Sequence, residues 1–319
     1  MNVNLSASEN SPAKQLNVET VENCIVTRSS LVMTIKGVAK PSLFENLPSR
    51  ERRQMNLVAI ASVLKNKLHR LAECDDYYFV MNIWAKGYHH WLAEVAPKFV
   101  IFEELLRSGQ ILMPADRPHF ISEFLEMFGF SNIVNVKNNN FVKKLHVITN
   151  PYSGHFDPEH LTMFRDAVLA RTNNKGKSGH RKIYVTRKDS RARKVINEGE
   201  VLEILTPKGF ECVDLENVSF RDQVDMFVEC SHFISIHGGA LTNAIFMPPG
   251  GKVVELYPKF KNREVELNAC YGRLCTILGL AHQFIFCDRK VIGRKPDFHV
   301  DDITVDLPQL ESVVNSQLR

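Results

Sequence analysis

The sequence predicts an α/β protein built from two domains, each with a sheet covered by helices. The chain has 319 residues, which is enough for two domains of roughly 150 residues each. In the C-terminal half, strand-like and helix-like patterns alternate at short spacing, which indicates a mostly parallel, doubly wound sheet. The segment 172–182, TNNKGKSGHRK, is polar, basic and glycine-containing, which is typical of a linker between domains.

The composition is that of a globular protein and not of a nucleic-acid binder. Hydrophobic residues make up 44% of the chain and charged residues 24%, as in ordinary soluble domains. The net charge is +4 and no long Lys/Arg run occurs, so no nucleic-acid partner is expected. The seven cysteines are scattered without a Cys-x-x-Cys pair. We therefore expect reduced thiols and no zinc or redox site.

The N-terminus shows none of the features of an export signal. Residues 1–14 are polar and lack a basic start followed by an apolar stretch. The longest apolar runs, such as 99–102, are far shorter than the ~20 residues that span a bilayer. These observations predict a cytoplasmic protein whose only membrane contact is peripheral, at the inner face of the membrane.

The N-terminal half is predicted to form one α/β domain over 21–171, after a loose start over 1–20. Apolar alternation indicates strands, and apolar residues at helical spacing indicate helices. The predicted elements are a strand at 21–35, a helix at 57–71, a strand at 77–83, a helix at 87–97, a strand at 111–113, a helix at 121–128 and a strand at 145–148. This order is typical of a layered α/β domain.

The C-terminal half is predicted to form a second α/β domain over 183–295, followed by a tail over 296–319. The predicted strands are 182–186, 211–214, 233–236 and 252–256, and the predicted helices are 198–205, 219–229, 239–246 and 270–278. The tail is amphipathic over 307–318 and predicts a last helix that packs across the domain junction. Parallel sheets of this kind bind ligands at the carboxyl ends of their strands.

The segment 232–258, HFISIHGGALTNAIFMPPGGKVVELYP, predicts an anion site. A strand ends at His237, and Gly238 and Gly239 lead into a helix whose free N–H groups and positive dipole end face the strand's tip. Glycine there lets a diphosphate approach the backbone closely. Side chains that add hydrogen bonds are those of His237, Thr242 and Asn243. The alternative interpretation is close packing of the helix on the strand, which also requires glycine.

A second segment, YVTRKDSRARKVINE over 184–198, predicts a cationic loop at the same edge of the sheet. A strand leads to Arg187, and Arg191 and Arg193 follow before a helix. Arginine grips phosphate oxygens with paired donors, whereas the alternative is solvated surface charge. Glu255 ends a later strand and is predicted to accept hydrogen bonds from a ribose, with a simple surface carboxylate as the alternative.

These segments resemble glycosyltransferase family 61. The matching residues are Arg187, Arg193, Asn197, Glu198, Phe220, Gln223, His237, Gly238, Ala240, Leu241, Thr242, Asn243, Phe246, Pro248, Pro249, Gly250 and Glu255. This chain has Gly239 at a position where many members of the family alternate between small residues. The resemblance implies the GT-B architecture, in which two Rossmann-like domains face a cleft. It also implies a nucleotide-sugar site at Arg187, Arg193, Asn197, Glu198, His237, Gly238, Gly239, Ala240, Leu241, Thr242, Asn243 and Glu255.

The N-terminal half resembles the family through WAKGYHHWLAEVAPKF, over 84–99. The family pattern of a histidine followed four residues later by an acidic residue falls on His90 and Glu94, which share one helix face. Either side chain is a candidate general base, and Asp157 is a third candidate. The alternatives are amphipathic packing for His90, charge at a helix start for Glu94 and a turn for Asp157.

The resemblance implies an inverting transfer from a nucleotide sugar, UDP-linked in the simplest case, to a glycan or lipid-linked glycan in bacterial surface polysaccharide synthesis. No Asp-x-Asp motif occurs, so we expect neither a metal nor a cofactor, with the diphosphate stabilised by arginines and the helix start. A non-catalytic nucleotide- or carbohydrate-binding module is one alternative. A nicotinamide-dependent oxidoreductase is disfavoured because no Gly-x-Gly-x-x-Gly follows a strand.

Overall fold

The computed structural model describes residues 16–71, 76–150, 152–174, 176–188, 190, 192–259, 269–293 and 300–317. Within them the chain divides into two compact units. The first unit contains the chain up to Lys86, Ala93–Pro118 and Phe130–Leu161, and the second contains Gly87–Leu92, His119–Gly129 and the chain from Thr162 onward. The predicted mixed α/β character is confirmed, while the predicted domain ranges and the GT-B arrangement stay predictions.

The sheet of the first unit is mixed. Its strands are β1 Val18–Val26, β2 Val32–Thr34, β3 Gly37–Val38, β4 Leu68–Arg70, β5 Tyr77–Phe79, β6 Gln110–Pro114, β7 Ile133–Val136 and β8 Asn139–Ile148. They lie in the order β3-β2-β1-β8-β5-β6-β7, with β4 beside β8. The β8-β5-β6-β7 part is parallel, whereas β1 and β2 join it as antiparallel strands. Only the parallel part fits the predicted Rossmann-like pattern.

The helices of the N-terminal half are α1 Ser49–Lys65, α2 Tyr88–His90, α3 Ala96–Ile101, α4 Glu103–Arg107, α5 His119–Met127 and α6 Pro158–Arg171. Among them, α5 lies within two residues of its predicted bounds, and α6 was not predicted. A π-helical turn, Trp91–Val95, joins α2 to α3. Such turns are rare and occur frequently at functional sites.

The sheet of the second unit follows the predicted alternation. Its strands are β9 Arg181–Val185, β10 Phe210–Val213, β11 Cys230–Ile236, β12 Lys252–Pro258, β13 Ala281–Lys290 and β14 Asp302–Thr304, and its helices are α7 Glu198–Leu205, α8 Phe220–Phe227, α9 Cys270–Ile277 and α10 Leu307–Gln317. The order is β10-β9-β11-β12-β13-β14. All neighbours pair in parallel except β14.

The first strand of this sheet, β9, lies between the second and the third, so the chain changes direction across the sheet between β9 and β11. Such a switch point leaves a crevice at the carboxyl ends of the strands, where doubly wound sheets bind ligands. The core below it joins sheet and helices; members include Tyr184, Val201, Ile234, Leu256, Ile285 and Leu310. Because Leu310 lies on α10, this last helix is packed into the core of the second unit, and its predicted contact across a domain junction stays a prediction.

Several predicted elements differ from the observed ones. The single strand predicted at 21–35 is a hairpin of β1 and β2, because the chain turns at Ser30, which has φ +59°, and Thr27 accepts a hydrogen bond from the Leu31 N–H through Oγ1. Helix α1 starts before the predicted 57–71 and ends at Lys65. The helix predicted at 239–246 is a 3-10 helix, Gly239–Phe246. Strands β13 and β14 were not predicted. No helix among the described residues is both long and apolar enough to cross a bilayer.

Candidate active site

Two arginines converge on Gly238 at the switch point of the second unit. Arg187 follows β9 and Gly238 follows β11. A Cβ atom on Gly238 would lie 3.1 Å from Nη1 of Arg187 and 3.2 Å from Nη1 of Arg193. Arg193 also donates a hydrogen bond of 2.8 Å from Nη1 to the carbonyl of His237. A glycine is therefore required at this strand end, because two guanidinium groups occupy the space that a side chain would take.

Both guanidinium groups keep hydrogen-bonding capacity that the described part of the chain does not use. The Nε atoms of Arg187 and Arg193 are buried and have no hydrogen-bond partner among the described residues. Burial lowers the pKa of both groups, but arginine stays charged in proteins. Buried cations with unused donors are costly unless an anion pairs with them. The pair is therefore suited to an anion such as a diphosphate.

The backbone of Arg193 is held in a conformation that few side chains adopt. Its φ is +59°, in the left-handed region that usually takes glycine. Such positions cost about 1–3 kcal/mol and concentrate at functional sites. Here the conformation aims the guanidinium at the carbonyl of His237. Arg191, which was predicted to share this role, lies outside the described residues.

A buried carboxylate links two histidines beside the arginines. Glu255 lies on β12 with none of its surface exposed, and Nδ1 of His237 donates to its Oε1. Nε2 of His282 donates to Oε2 at 2.9 Å. Burial alone raises the pKa of the Glu255 carboxyl, but the charges and hydrogen bonds of His237 and His282 outweigh it, so the pKa lies below its usual value. Glu255 thus orients His237, and its predicted contact with a ribose stays a prediction.

The 3-10 helix after Gly238 is held by side chains of α2. Thr242 lies 3.0 Å from Nδ1 of His89 through its Oγ1, and Asn243 accepts a hydrogen bond of 2.7 Å from the hydroxyl of Tyr88. Both Thr242 and Asn243 are fully buried. These two side chains fix the helix that follows the glycines, and their predicted contact with phosphate stays a prediction.

Tyr271 on α9 completes the buried cluster. Its ring lies 5.2 Å from the ring of His237 and 5.0 Å from that of His89, both edge to face. Burial raises the pKa of its hydroxyl well above the usual value, although the bond to Thr242 lowers it in part. The hydroxyl is therefore a neutral donor. Neither Tyr271 nor His282 lies in a recognisable sequence motif, so neither was predicted as a site residue.

The remaining predicted donor-site side chains have structural partners. Asn197 exchanges two hydrogen bonds with the backbone of Val305, at 3.0 and 2.9 Å. Glu198 accepts hydrogen bonds of 2.8 Å from the hydroxyls of Tyr184 and Thr186. These contacts fix the start of α7 against β9 and β14. Of the family-pattern residues, those that face the glycines are Arg187, Arg193 and His237.

In the first unit, Glu94 lies in the π-helical turn and is firmly oriented. Its Oε1 accepts hydrogen bonds from Ser153 Oγ at 2.9 Å and from the Gly154 N–H at 3.0 Å. Its Oε2 accepts one from Asn82 Nδ2 at 3.2 Å. Three donors from two segments hold one carboxylate, so its direction is fixed before any substrate binds, as a positioned base requires.

Glu94 opens into a pocket of the first unit that also contains Asp157. Residues of its wall include Phe44, Glu94, Tyr152, His155, Phe156, Asp157 and His160. Asp157 caps α6, because its Oδ1 accepts from the N–H groups of Glu159 and His160 at 2.9 and 3.1 Å. A mixture of aromatic walls and a few polar groups is typical of small-ligand sites.

The remaining base candidate, His90, belongs to the second unit together with Tyr88 and His89. Its ring lies 5.2 Å from that of His89, edge to face. His89, the preceding residue, is the one whose Nδ1 contacts Thr242. Helical spacing alone does not decide which of two adjacent histidines points toward the glycine loop.

A buried lysine holds one wall of this pocket. Lys98, on α3, donates from Nζ to the carbonyls of Val80 and Ile148 at 3.0 and 3.3 Å and to Oδ1 of Asn150 at 2.6 Å. Burial lowers the pKa of its ammonium to about 7, although Glu94 opposes that shift. Because Asn150 is part of the pocket wall, Lys98 fixes that wall.

Comparison with known proteins identifies similar chains. The family model described as Glycosyltransferase 61 matches residues 88–254, just over half of the chain. Three similar proteins are each named protein O-linked-mannose beta-1,4-N-acetylglucosaminyltransferase 2. The one from Xenopus tropicalis is 27% identical over 217 residues, which is 66% of this chain and 35% of that protein.

The other two matches are shorter. The protein from Canis lupus familiaris is 34% identical over 97 residues, which is 29% of this chain and 16% of that protein. The protein from Takifugu rubripes is 38% identical over 73 residues, which is 22% of this chain and 12% of that protein. The chain therefore covers about a third of the length of these relatives, or less.

Proposed function

The chain belongs to glycosyltransferase family 61, and on that premise we propose that it transfers a sugar from a nucleotide-sugar donor to a glycan acceptor with inversion at the anomeric carbon. The donor diphosphate binds at the switch point of the second unit. The acceptor binds in the pocket of the first unit that contains Glu94 and Asp157. The GT-B arrangement expected of the family, with donor and acceptor domains around a cleft, is part of this proposal.

The convergence of Arg187 and Arg193 on Gly238 carries the proposal. The leaving group of the reaction is a nucleoside diphosphate, which gains negative charge as the bond to the sugar breaks. Preorganised cations in a half-buried site stabilise that charge more than water does. Their unpartnered Nε–H groups supply donors to the phosphate oxygens. His237 adds a third group beside them, oriented by Glu255.

The proposed base is Glu94. Its carboxylate takes the proton of an acceptor hydroxyl, the hydroxyl oxygen attacks the anomeric carbon, and the bond to the diphosphate breaks with its electron pair going to phosphate. One displacement of this kind inverts the anomeric centre. Glu94 is favoured over Asp157 because three donors fix its direction, whereas Asp157 uses one oxygen to cap α6. His90 is the remaining candidate.

The proposed donor is a UDP-linked sugar, bound without a metal or cofactor because two arginines supply the positive charge that a cation supplies elsewhere. The N-acetylglucosaminyl group in the names of the relatives supports an N-acetylhexosamine as the first sugar to test. Activity that survives EDTA is expected. Loss of activity with EDTA and its return with manganese would contradict the metal-free mechanism.

Two acceptor classes follow from different observations. The relatives are named for O-linked mannose on proteins, which supports a mannose-terminated acceptor. The sequence pattern instead suggests a bacterial surface polysaccharide or lipid-linked glycan, made by a cytoplasmic enzyme. Assays with an O-mannosyl peptide and with a lipid-linked oligosaccharide distinguish the two, because each offers a different group beyond the accepting hydroxyl.

The test is calorimetric titration with UDP, GDP, CMP and NAD, followed by transfer assays with the sugar nucleotide of the base that binds. Selective binding of one nucleoside diphosphate without metal, together with transfer to a glycan, supports the proposal. Binding without transfer to any glycan points to the non-catalytic module. Binding of NAD alone would support the oxidoreductase and contradict the proposal.

A further inference from the structure

Helix α1 of the first unit is docked partly by polar side chains and exposes four large apolar side chains, Leu57, Val58, Ile60 and Leu64. On the inner side, Oγ of Ser62 donates to Asn139 Oδ1 at 3.1 Å, and Oδ1 of Asn56 accepts from the Val38 N–H at 2.9 Å. Arg52 donates to the carbonyls of Glu45 and Leu47 at 2.6 and 2.9 Å. Ala59 and Met55 also pack against the apolar cluster of the first unit, so α1 has apolar side chains both on its core side and on its exposed side.

The outward side of α1 carries a continuous apolar line. Leu57, Ile60 and Leu64 are 67%, 43% and 81% exposed, and their spacing of three and four residues puts them on one helical face. Ala59, buried completely, marks the opposite side. Val58 widens the exposed face; the α1 surface consists of Leu57, Val58, Ile60 and Leu64. An exposed apolar face of this kind, unlike scattered single residues, marks an interaction surface.

Basic residues flank the α1 surface at both ends. Arg50 and Arg53 are exposed before it, and Lys65 and Lys67 are exposed after it. Arg53 lies one turn before Leu57, on the same face. The only acidic residue of α1 is Glu51, at its start. Basic residues at both ends of an exposed apolar patch favour contact with an anionic surface.

From these observations we infer that the α1 surface binds an anionic lipid membrane, with Leu57, Ile60 and Leu64 entering the headgroup boundary. The basic residues at the ends gain attraction to the anionic headgroups. A second copy of this chain fits the surface less well. A symmetric pair would bring the same four basic residues against one another, and like charges repel. This inference does not depend on the proposed transfer reaction.

A neighbouring turn carries another exposed apolar side chain. Ile35, between β2 and β3, is completely exposed, with Lys36 exposed beside it. The hairpin is tied to α1, because the Gly37–Val38 strand meets Asn56. An exposed isoleucine next to a lysine repeats the combination of apolar and basic side chains found on α1.

The test is flotation of the whole chain with vesicles of phosphatidylcholine alone and of phosphatidylcholine with phosphatidylglycerol. Wild-type protein is expected to float with the anionic vesicles only, and less as salt rises. The triple variant Leu57→Ser, Ile60→Ser, Leu64→Ser should bind roughly tenfold more weakly or worse, because it withdraws most of the apolar area. The paired variant Arg53→Glu, Lys65→Glu should lose the preference for anionic vesicles.

The matched control replaces two exposed apolar side chains of the second unit, Met163→Ser and Ile196→Ser. Their exposures, 43% and 47%, resemble that of Ile60, and vesicle binding should be unchanged. Unfolding curves of all variants check that exposed substitutions leave the fold intact. Wild-type protein that ignores anionic vesicles would overturn the inference. So would dimerisation in solution that Leu57→Ser abolishes, since the surface would then be covered by a second copy.

Discussion

Nε2 of His282 donates a hydrogen bond of 2.9 Å to Oε2 of Glu255, while the other oxygen of this carboxylate contacts His237. The buried carboxylate of Glu255 on β12 therefore links His282 on β13 to His237 at the end of β11. His237 lies directly before the glycine that the arginines approach. These three side chains connect the sheet interior to the proposed diphosphate site. Changes at Glu255 and His282 should therefore affect both the stability of the protein and its binding of the diphosphate.

Glu255→Gln is expected to destabilise the protein by about 3–5 kcal/mol, since it removes the charge between two buried partners. The pKa of Glu255 lies below its usual value. Its ionised carboxylate therefore stabilises the folded protein at pH values above the unfolded pKa of about 4.3, and this stabilisation is lost as pH falls through the pKa of the folded state. Urea unfolding across that acid range should therefore show a flatter pH dependence in the variant. An unchanged dependence would mean that Glu255 is not ionised in the folded protein.

Arg187→Ala and Arg193→Ala should each weaken UDP binding by roughly ten- to a hundredfold, because a charged hydrogen bond is worth about 1.5–3 kcal/mol. Arg193→Lys should recover only part of the loss, since lysine lacks the paired donors. Calorimetric titration measures the affinity. The matched control is Arg181→Ala, at the other end of β9 and paired with Glu211; equal losses in control and test variants would contradict the site.

Gly238→Ala tests the space between the arginines. Gly238 has φ 162°, an extended conformation open to any residue, so the substitution brings no backbone strain. The new methyl would press on both Nη1 atoms and should weaken UDP binding by roughly tenfold through displacement of one charged hydrogen bond. Gly199→Ala is the control, because a methyl there meets nothing within 4 Å. Undiminished UDP affinity in Gly238→Ala would argue against tight packing around the diphosphate.

Glu94→Gln should lower kcat by about 10²–10⁴-fold, the usual contribution of a positioned base, while UDP affinity stays unchanged. Glutamine retains the size of the side chain and can accept from Ser153 or Gly154 through its oxygen. Asp157→Asn is the matched variant, because asparagine also caps helices and α6 should remain intact. Transfer lost in Asp157→Asn but kept in Glu94→Gln would move the base to Asp157, and loss only in His90→Ala would move it to His90.

Lys98→Met should change how stability depends on pH. The pKa of Lys98 is about 7 in the folded protein and about 10.4 when unfolded. Between these values the unfolded chain binds more protons, so wild-type stability gains from this group as pH rises. Denaturant unfolding at neutral and alkaline pH should show that the free energy of unfolding rises less with pH in the variant than in the wild-type protein. The variant should also lose about 1–3 kcal/mol by leaving the Asn150 oxygen and two carbonyls unpaired.

The control for this prediction is Lys143→Met, an exposed lysine on β8. Its pH dependence should match that of the wild-type protein. If Lys98→Met and the wild type respond to pH in the same way, the ammonium of Lys98 keeps an ordinary pKa despite its burial.

The sequence by itself determined the alternation of the second sheet and the glycine motif after β11. Helix α7 begins and ends at the predicted residues, and α5, α8 and α9 deviate by one or two. These features are set within short windows, where the hydrophobic period and glycine act locally. The hairpin at Ser30 and the 3-10 form of Gly239–Phe246 were missed, because turn geometry and tertiary packing overrode the same local pattern.

Only the tertiary structure decided which side chains meet. Arg193 reaches Gly238, His282 reaches Glu255 and His89 reaches Thr242, across separations that no local period encodes. Strand order sets the first two contacts, because β9, β11, β12 and β13 become neighbours only when the sheet assembles. The outward apolar face of α1 was hidden for the same reason: its spacing indicates a helix, but only the polar contacts of Asn56 and Ser62 decide which side is buried.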